Sequence, residues 1–530
     1  MVYRRLKGAA PSGMSDLLLC RRVRRAASDT CRLNRPHHLH GIATLCLVGA
    51  ALLCRAQPAD AQTEFPPGQT PSLLLLVTTF TDDGKYAYNA LDFAAARAND
   101  SAYASLLPIC SGVGAATGPM GCRGATLQLF QQLRALEDNA NALLGRGQTQ
   151  YSLGLTPNGL ANALQWTAPE EYAAQGSITT QFANSQATVL ANRFSALHFA
   201  AMAIQLADDV EDPTAARWAY VYHALGGGAS ADSSIFSFDR FSVFVDDGFG
   251  AGQKDPTVFE DAFAFDSTEA SAGLDYRLTD RWVVGLLAGH SERRVDFNSQ
   301  ESIVDGEIRG NGQSATVYTQ FEAKAAYLDA SVGFQHLSLH TTRKITYPSN
   351  NPDIPSVNQT AVSDTGANSL TASLAGGYVL HYRSASIEPY LNSLYTHTLI
   401  GSFVENNTDG FDVNVGSQSI VSTQVSAGLK LQYAFLPHFG VIVPYIYGEY
   451  RHEFGGNSRT VESTYAAAPT AATGFDIPTE DFPNHYYVVG AGGSIVLPHG
   501  LQAFAQYIRV LDYTNYTDHV FSGGIRWEFR

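Results

Sequence analysis

Cys110 and Cys122 are the residues whose type and spacing most directly indicate a covalent link. The short segment between them contains four glycines, so the chain can close a loop there. An even pair of cysteines in an exported protein indicates a disulfide, and the leader described below indicates export. Reduced thiols and metal-bound thiols remain the alternatives.

No residue pattern forms a strong catalytic constellation. Ser314, in GNGQSAT, falls in a predicted strand and not at the sharp turn of a nucleophile elbow. The chain also lacks a G-x-S-x-G motif. We therefore predict that the protein is not an enzyme, with a hydrolase site in residues 62–228 as the open alternative.

Candidate metal ligands are equally sparse. The acidic turn Asp-Asp-Gly at 82–84 supplies fewer oxygen ligands than calcium requires. The acids and amides of 407–414 fit a predicted loop, because Asn, Asp and Gly favour turns. His485, His499 and His519 are far apart in the predicted topology. We predict no metal and no cofactor.

Residues 1–61 have the pattern of a leader and not of a folded domain. The basic stretch RRVRR precedes an apolar run at 42–54, and RAQPADAQ follows it. These are the basic, apolar and small-residue parts of a secretory signal with an extended basic region. We predict cleavage between Ala61 and Gln62.

Composition limits the class of protein. The 530 residues carry a net charge of −15, which argues against nucleic-acid binding because that function requires a basic surface. No apolar run beyond the leader has the roughly 20 residues of a membrane helix, although the chain holds 26 Tyr and 28 Phe. Many aromatics with average hydropathy are typical of a membrane β-barrel.

Residues 62–228 are alanine-rich and have a helical pattern. Helices are predicted at 89–107 and 126–144, and Thr156 followed by Pro157 forms a helix start. We predict that this segment is an all-α passenger or linker domain.

A longer helix is predicted over 178–206. Apolar residues recur along it at spacings of four and three, which is one helical stripe: Leu190, Phe194, Leu197, Ala201 and Ile204. The interpretation we favour is that this stripe packs on the other helices. The alternative is that the end of the helix enters the lumen of the domain that follows.

After a flexible junction at 229–238, residues 239–530 alternate between apolar and polar positions, as in strands with two different faces. In one such strand Leu328 and Val332 lie on one face, and Asp329 lies on the other. The predicted strands are 240–250, 261–277, 282–298, 303–322, 324–344, 368–383, 385–404, 417–436, 439–455, 484–497, 500–511 and 518–529. An even number of such strands, joined as hairpins, fits a membrane barrel.

The connections between these strands alternate in length. The short ones are 278–281, 383–385, 436–439 and 497–500, and the long ones are 348–366, 405–417 and 455–481. Short turns on one side and long loops on the other are typical of an outer-membrane barrel. The predicted fold class is therefore α+β: a helical segment followed by a closed antiparallel transmembrane barrel of about 12 strands.

The chain ends in another alternating strand, FSGGIRWEFR. A strand in hydrocarbon must pair all its backbone groups, so the last strand has to meet the first. Phe521, Ile525 and Trp527 then face lipid, and Phe529 joins Trp527 in an interfacial aromatic girdle. The polar face of the strands fits a lumen, because a dry core could not hold unpaired charges.

Several segments resemble the autotransporter (type V secretion) β-domain. The stretch EASAGLDYRLTDRWVVGLLAG at 269–289 resembles its second hairpin, and YLDASVGF at 327–334 resembles its central hairpin. Further on, RKI at 343–345 also resembles the central hairpin. IEPY at 387–390, with Phe403 and Glu405, and HEF at 452–454 are similar to later elements of the family. The resemblance covers about 239–529. The stretch ALQWTAPEEY at 163–172, the long helix after it and the pair Cys110 and Cys122 resemble the helical region before the barrel in some autotransporters.

The resemblance implies a translocator in the outer membrane of a Gram-negative bacterium. Its expected partners are outer-membrane lipid, the barrel assembly machinery and periplasmic chaperones, with no nucleic acid, and the barrel would be monomeric. The assembly machinery would recognise a C-terminal signal formed by Phe521, Ile525, Trp527 and Phe529. The family usually ends in an aromatic residue, whereas here Arg530 follows Phe529. Luminal side chains would solvate a threaded helix or simply line the pore: Lys430, Gln432, Arg526 and Glu528.

Three functions follow from these observations. The first is a barrel that exports or displays its own N-terminal helical segment. The second is a channel or structural barrel whose helical segment is periplasmic or plugs the pore. The third is a surface hydrolase carried by residues 62–228. The resemblance favours the first.

Overall fold

The computed structural model describes residues 71–111, 121–146, 150–208, 240–297, 303–437, 439–455, 458–480, 483–497 and 501–528. The predicted cleavage site at Ala61 and Gln62, the junction at 229–238 and Phe529 lie outside these residues, as does the whole predicted leader. None of the helices in the described ranges has the length and apolarity to cross a membrane.

The helices come first along the chain. They are α1 (Leu73–Asp82), α2 (Ala90–Cys110), α3 (Ala125–Leu143), α4 (Pro157–Thr167), a short 3-10 turn (Glu170–Ala173) and α5 (Ala174–Asp208). The predicted start of α4 agrees with this, because the side chain of Thr156 accepts a hydrogen bond from the Gly159 N–H. Helices α1–α4 with the 3-10 turn are called the helical cap below.

Helix α1 was not predicted, because side chains distant in sequence cap it. The backbone N–H of Ser72 donates to Glu137 at 2.6 Å, and those of Leu73 and Leu74 donate to the carboxylate of Asp100. A helix start leaves such N–H groups without partners inside the helix. Acids on α2 and α3 therefore define where α1 begins.

Cys110 and Cys122 form a disulfide, as predicted. It ties the end of α2 to the residues just before α3. We expect the replacement of both cysteines by serine to lower the free energy of unfolding of the helical cap by about 2–3 kcal/mol, because the open chain gains loop entropy. Chemical denaturation followed by helical circular dichroism would measure the change. An equal shift in the unfolding transition of the β-barrel would contradict an effect that is confined to the helical cap.

Within the described residues, twelve long strands form one closed antiparallel barrel. They are β1 (Phe241–Lys254), β2 (Phe263–Thr279), β3 (Trp282–Phe297), β4 (Gly306–Ala323), β5 (Ala326–Tyr347), β6 (Val357–Tyr378), β8 (Ala385–Ile400), β11 (Gln418–Tyr433), β12 (Val441–Glu453), β15 (His485–Val496), β16 (Leu501–Leu511) and β17 (Tyr516–Glu528). The short strand β7 (Leu380–Tyr382) extends one hairpin. The last strand pairs with the first, from Ser242 opposite Glu528 to Lys254 opposite Tyr516, so the predicted closure and strand number are confirmed.

The connections define two ends of the barrel, as predicted. Short turns such as 280–281 and 324–325 lie at one end, here called the short-turn end. The other end, the long-loop end, carries the connections at 255–262, 401–417 and 454–484.

The predicted loop at 348–366 is wrong in length, because β6 begins at Val357. The added residues pair with the far end of β5, from Tyr347 opposite Val357 to Gly366 opposite Ser338. This part of the hairpin lies beyond the apolar outer rows of β5, which end at Phe334 and continue as His336, Ser338 and His340. There the outer face is polar and the inner face carries the buried Leu337, Leu339 and Ile345, so the apolar-outward alternation that marks a membrane strand is reversed.

A second small sheet is built from two long loops. It contains β9 (Phe403–Val404), β10 (Val413–Val415), β13 (Thr460–Tyr465) and β14 (Phe475–Pro478) and is called the loop sheet below. Its buried face is apolar, with Phe411, Val413 and Tyr465 at its centre. The helical cap packs on it, and the Tyr465 hydroxyl donates to Asn99 of α2 at 2.6 Å.

Gly410 lets the loop before β10 approach the helical cap. It has a φ of +107°, and a Cβ at this position would lie 2.5 Å from the carbonyl oxygen of Ala125 and 2.8 Å from the Leu129 nitrogen. Asn350, in the β5–β6 connection, adds a backbone hydrogen bond to the carbonyl of Leu153 at 2.8 Å. The cap therefore contacts the barrel at its long-loop end.

Asp247 is an acidic residue among apolar neighbours on the outer face of β1. This residue lies on the exposed row of β1 between Val245 and Phe249, opposite Ala270 on β2 and Gly523 on β17. An ionised side chain among lipid-facing residues is unfavourable, with a cost that grows toward the bilayer centre.

We expect Asp247→Leu to stabilise the folded barrel by about 1 kcal/mol, because it removes a carboxylate from the lipid-facing row. Denaturant unfolding in lipid vesicles would measure the change. Asp246→Leu is the matched control, because the neighbouring Asp246 is buried on the inner face and should not gain stability on replacement. Equal stabilisation by both variants would contradict the assignment of the two faces.

Candidate functional site: the helix in the barrel lumen

Helix α5 occupies the lumen. At the long-loop end Arg459 donates a hydrogen bond to the carbonyl of Ala173, just before α5, at 2.7 Å. At the short-turn end Phe199 packs with Tyr327, Val443 and Val496 of the barrel wall. The helix therefore runs through the barrel from one end to the other.

The predicted packing of the α5 stripe on other helices is wrong. Leu190, Phe194 and Leu197 pack instead on residues of β1, β3 and β4, including Phe244 and Leu287. The periodicity indicated one buried face correctly, but it could not distinguish a helical partner from a barrel wall. Ala201 and Ile204 lie on α5, and their side chains lie outside the described part of the structure.

Glycines in the barrel wall let α5 approach the wall closely in its upper half, which is the half nearer the long-loop end. A Cβ at Gly312 of β4 would lie 2.8 Å from the Phe182 ring and from Leu337. Ile178 and Phe182 are buried there with Val295, Ile308 and Leu337. Small wall residues thus face large helix residues at this height.

One buried ion pair fixes the middle of α5. Arg193 donates from Nε to Asp275 Oδ2 at 2.7 Å and from Nη2 to Asp275 Oδ1 at 2.5 Å. Ser242 and Tyr318 also donate to this carboxylate, at 2.6 and 3.1 Å. Such a two-pronged pair restricts both the height and the rotation of the helix.

A second polar contact of α5 lies nearer the short-turn end of the barrel. His198 has Nε2 3.0 Å from Asp329 and Nδ1 3.2 Å from Glu388, and its ring stacks on Tyr327 with the centroids 3.5 Å apart. Tyr327 also donates to Glu388 at 2.7 Å. Two carboxylates from different strands therefore hold one side chain of α5.

The helix does not fill the lumen. A cavity of about 480 Å³ lies beside its upper part, and a second of about 200 Å³ lies below, sharing Thr188, Asn192 and Arg451 as lining residues. The helix lines the upper cavity with polar residues such as Ser177 and Asn184. The barrel side of that cavity comes mainly from β1, β12 and β15–β17.

The predicted luminal residues differ in what they contact. Lys430 is buried, donates from Nζ to Ser195 Oγ on α5 and lies 4.3 Å from the centroid of the Tyr445 ring. Gln432 is buried and lines the lower cavity. Arg526 is buried and forms an ion pair with Glu528, which is half-buried.

Phe521, Ile525 and Trp527 of the predicted C-terminal signal lie on the exposed outer row of β17. Their use by the assembly machinery stays a prediction.

Sequence reasoning missed Arg193 and His198 as luminal contacts. The available signal was a cation and a histidine beside the apolar stripe of a helix, together with inward-facing acids on the strands. Asp329 was assigned to the polar face from alternation alone, but pairing it with His198 requires the position of the helix.

A further charged site joins the helical cap to the long-loop end. Arg343 of β5 donates from Nε and Nη2 to both oxygens of Glu405, at 2.8 and 2.7 Å, and neither side chain is exposed (0% each). Tyr172, in the 3-10 turn, donates to Glu405 at 2.6 Å. Glu405 also accepts a hydrogen bond from the Val413 N–H, so it connects the turn, β5 and the loop sheet.

A closed antiparallel barrel with an apolar outer face, a polar lumen and loops of unequal length at its two ends is an outer-membrane β-barrel. Residues 247–508 match the family described as the autotransporter beta-domain. The barrel of this chain is an autotransporter beta-domain, and the protein is an outer-membrane translocator barrel of the autotransporter type. The comparison with curated proteins found no match.

Solved structures similar to this chain include three autotransporter domains. The translocator domain of NalP from Neisseria meningitidis is 14% identical, with a TM-score of 0.43, over 55% of this chain and 89% of that one. The beta domain of BrkA from Bordetella is 17% identical, with a TM-score of 0.40, over 54% and 99%. The transport unit of AIDA-I from Escherichia coli is 13% identical, with a TM-score of 0.36, over 59% and 97%.

Proposed function

We propose that the barrel carries its own N-terminal helical segment to the cell surface, where the helical cap stays docked on the long-loop end. The observation that supports this is the path of α5, which connects the cap at that end to the short-turn end through the lumen. Long loops of outer-membrane barrels face the outside of the cell. The cap would then be a displayed domain that remains attached.

The resident helix and its charged contacts would hold the exported state. The Arg193–Asp275 pair and the contacts of His198 would stop α5 at one height in the lumen. Under this proposal insertion depends on the assembly machinery and periplasmic chaperones, and Phe521, Ile525, Trp527 and Phe529 form the recognised C-terminal signal. We also propose that neither the barrel nor the cap is catalytic.

Surface display can be tested on intact cells. An epitope tag placed after Gln62 should be removed by external protease while a periplasmic marker protein stays intact. Removal of the tag only after the outer membrane is broken would contradict display and place the cap on the periplasmic side.

A solute channel is the second candidate, and the cavities beside α5 favour it. In planar bilayers, deletion of residues 178–206 should then increase the conductance of the barrel. An unchanged conductance would argue against a plugging role for the helix.

A further inference from the structure

Glu170 and Glu171 occupy the 3-10 turn, the last part of the helical cap before α5. Their side chains are almost completely buried, with 2% and 1% exposed. None of their four carboxylate oxygens meets a well-aligned hydrogen-bond donor from another residue in the described part of the chain, and Glu170 contacts the carboxylate of Asp261. Buried polar groups in folded proteins are usually hydrogen-bonded, so two adjacent exceptions at a joint need a physical explanation.

The surroundings of these two acids are mostly acidic. Asp261 and Glu260, from the β1–β2 connection, and Glu405, after β9, lie close enough to raise the free energy of the ionised forms. Asp261 is itself held by the backbone N–H groups of residues 303 and 304.

Arg343 is the cation that favours an ionised Glu171. Its guanidinium, however, is already bonded through two nitrogens to Glu405. Lys254, on β1, is close to Glu260 at 3.2 Å and to Glu480 at 3.5 Å.

Two buried carboxylates that lack hydrogen-bond donors from other residues have a high free energy when they are ionised. The loss of hydration costs several kcal/mol for each buried charge unless a partner compensates it. Binding a proton removes the charge. Burial raises the pKa of Glu171 to about 8, and burial with the nearby Asp261 raises the pKa of Glu170 well above its usual value.

We propose that the joint between the helical cap and the barrel is a proton-operated latch, in which Glu170 and Glu171 hold protons while the cap is docked and release them when the joint opens. The inference depends on the burial and surroundings of the two acids and not on which side of the membrane the cap lies.

The direction of the pH dependence follows from the raised pKa values. A group whose pKa is higher in the closed state stabilises that state at low pH, and the stabilisation is lost as the pH rises through the closed-state pKa. The closed joint should therefore be most stable below the ordinary glutamate pKa of 4.5 and should weaken as the pH rises from there, and the contribution of Glu171 is lost by about pH 8. Each proton released on opening increases the opening equilibrium up to about tenfold per pH unit.

Hydrogen exchange of the full chain in detergent micelles tests the latch. Opening of the segment 168–180 is measured between pH 6 and pH 10, with each rate corrected for the intrinsic pH dependence of exchange. The double variant Glu170→Gln with Glu171→Gln keeps the shape of the side chains and cannot ionise. Glu462→Gln, on the exposed face of β13, is the matched control.

The wild type and the control should open at least tenfold more at pH 9 than at pH 7, and the double variant should not. Should the double variant fold poorly, each single variant should show a weaker pH dependence than the wild type. Wild-type opening that does not change with pH would overturn the proposal, and so would a double variant with the wild-type dependence. Opening at pH 7 caused by EDTA would also overturn it, because a bound cation would then be neutralising the acids.

Discussion

Asp275→Ala is expected to lower the free energy of unfolding by about 3–5 kcal/mol, because it leaves Arg193 buried and unpaired inside the barrel. Arg193 and Asp275 have almost no exposed side-chain surface, and Asp275 also accepts hydrogen bonds from Ser242 and Tyr318. Denaturant unfolding in vesicles would measure the loss. The β-strand circular dichroism signal would follow the barrel, and the labelling of a cysteine introduced into α5 would follow the helix. Labelling of α5 should increase before the barrel unfolds.

The matched control removes both charges at once. Arg193→Met combined with Asp275→Leu replaces the pair by apolar side chains, which is often neutral or stabilising for a buried ion pair. The double variant should therefore be more stable than Asp275→Ala alone. Two variants that destabilise equally would mean that packing volume, and not charge, holds α5 at this height.

Arg343→Ala is the second prediction with a large effect. Glu405 would remain buried without its bidentate partner, at a cost of about 3–5 kcal/mol. The loss should act on docking of the helical cap, because Glu405 also accepts bonds from Tyr172 and from the Val413 N–H. Limited proteolysis of residues 150–173 would detect the undocked cap, while the barrel should keep its strand content.

Two further variants separate charge from geometry at this position. Arg343→Lys keeps the charge but lacks the planar fork, so it should recover only part of the docking. Arg343→Met combined with Glu405→Gln removes both charges and should dock better than Arg343→Ala. Full docking of Arg343→Ala would contradict the role given to this pair.

The barrel could be predicted from the sequence because one physical constraint repeats along it. Each membrane strand needs one apolar face and complete backbone pairing, so alternation and turn lengths locate most strands within a few residues. The prediction failed at 357–366, where β6 extends beyond the apolar rows and the constraint no longer applies. The disulfide was also predictable, because it depends on two nearby residues.

The position of α5 and the sites around it could not be predicted in the same way. An apolar stripe can be buried equally well against another helix or against a barrel wall. The positions of Leu190 and Phe194 in the sequence therefore do not show which of these partners the helix packs on. Arg193 and Asp275 are far apart in sequence, and only the assembled barrel brings them together. The start of α1 and the loop sheet likewise depend on contacts between distant segments.

The contact between the helical cap and the loop sheet has an evolutionary consequence. Asn99 of α2 bonds to Tyr465 of β13, and Gly410 leaves room for α3 at Ala125. A change on either side must therefore be matched on the other, so the cap is not freely exchangeable between barrels. Among relatives, these position pairs should covary, whereas exposed residues of α1 should drift independently of the barrel.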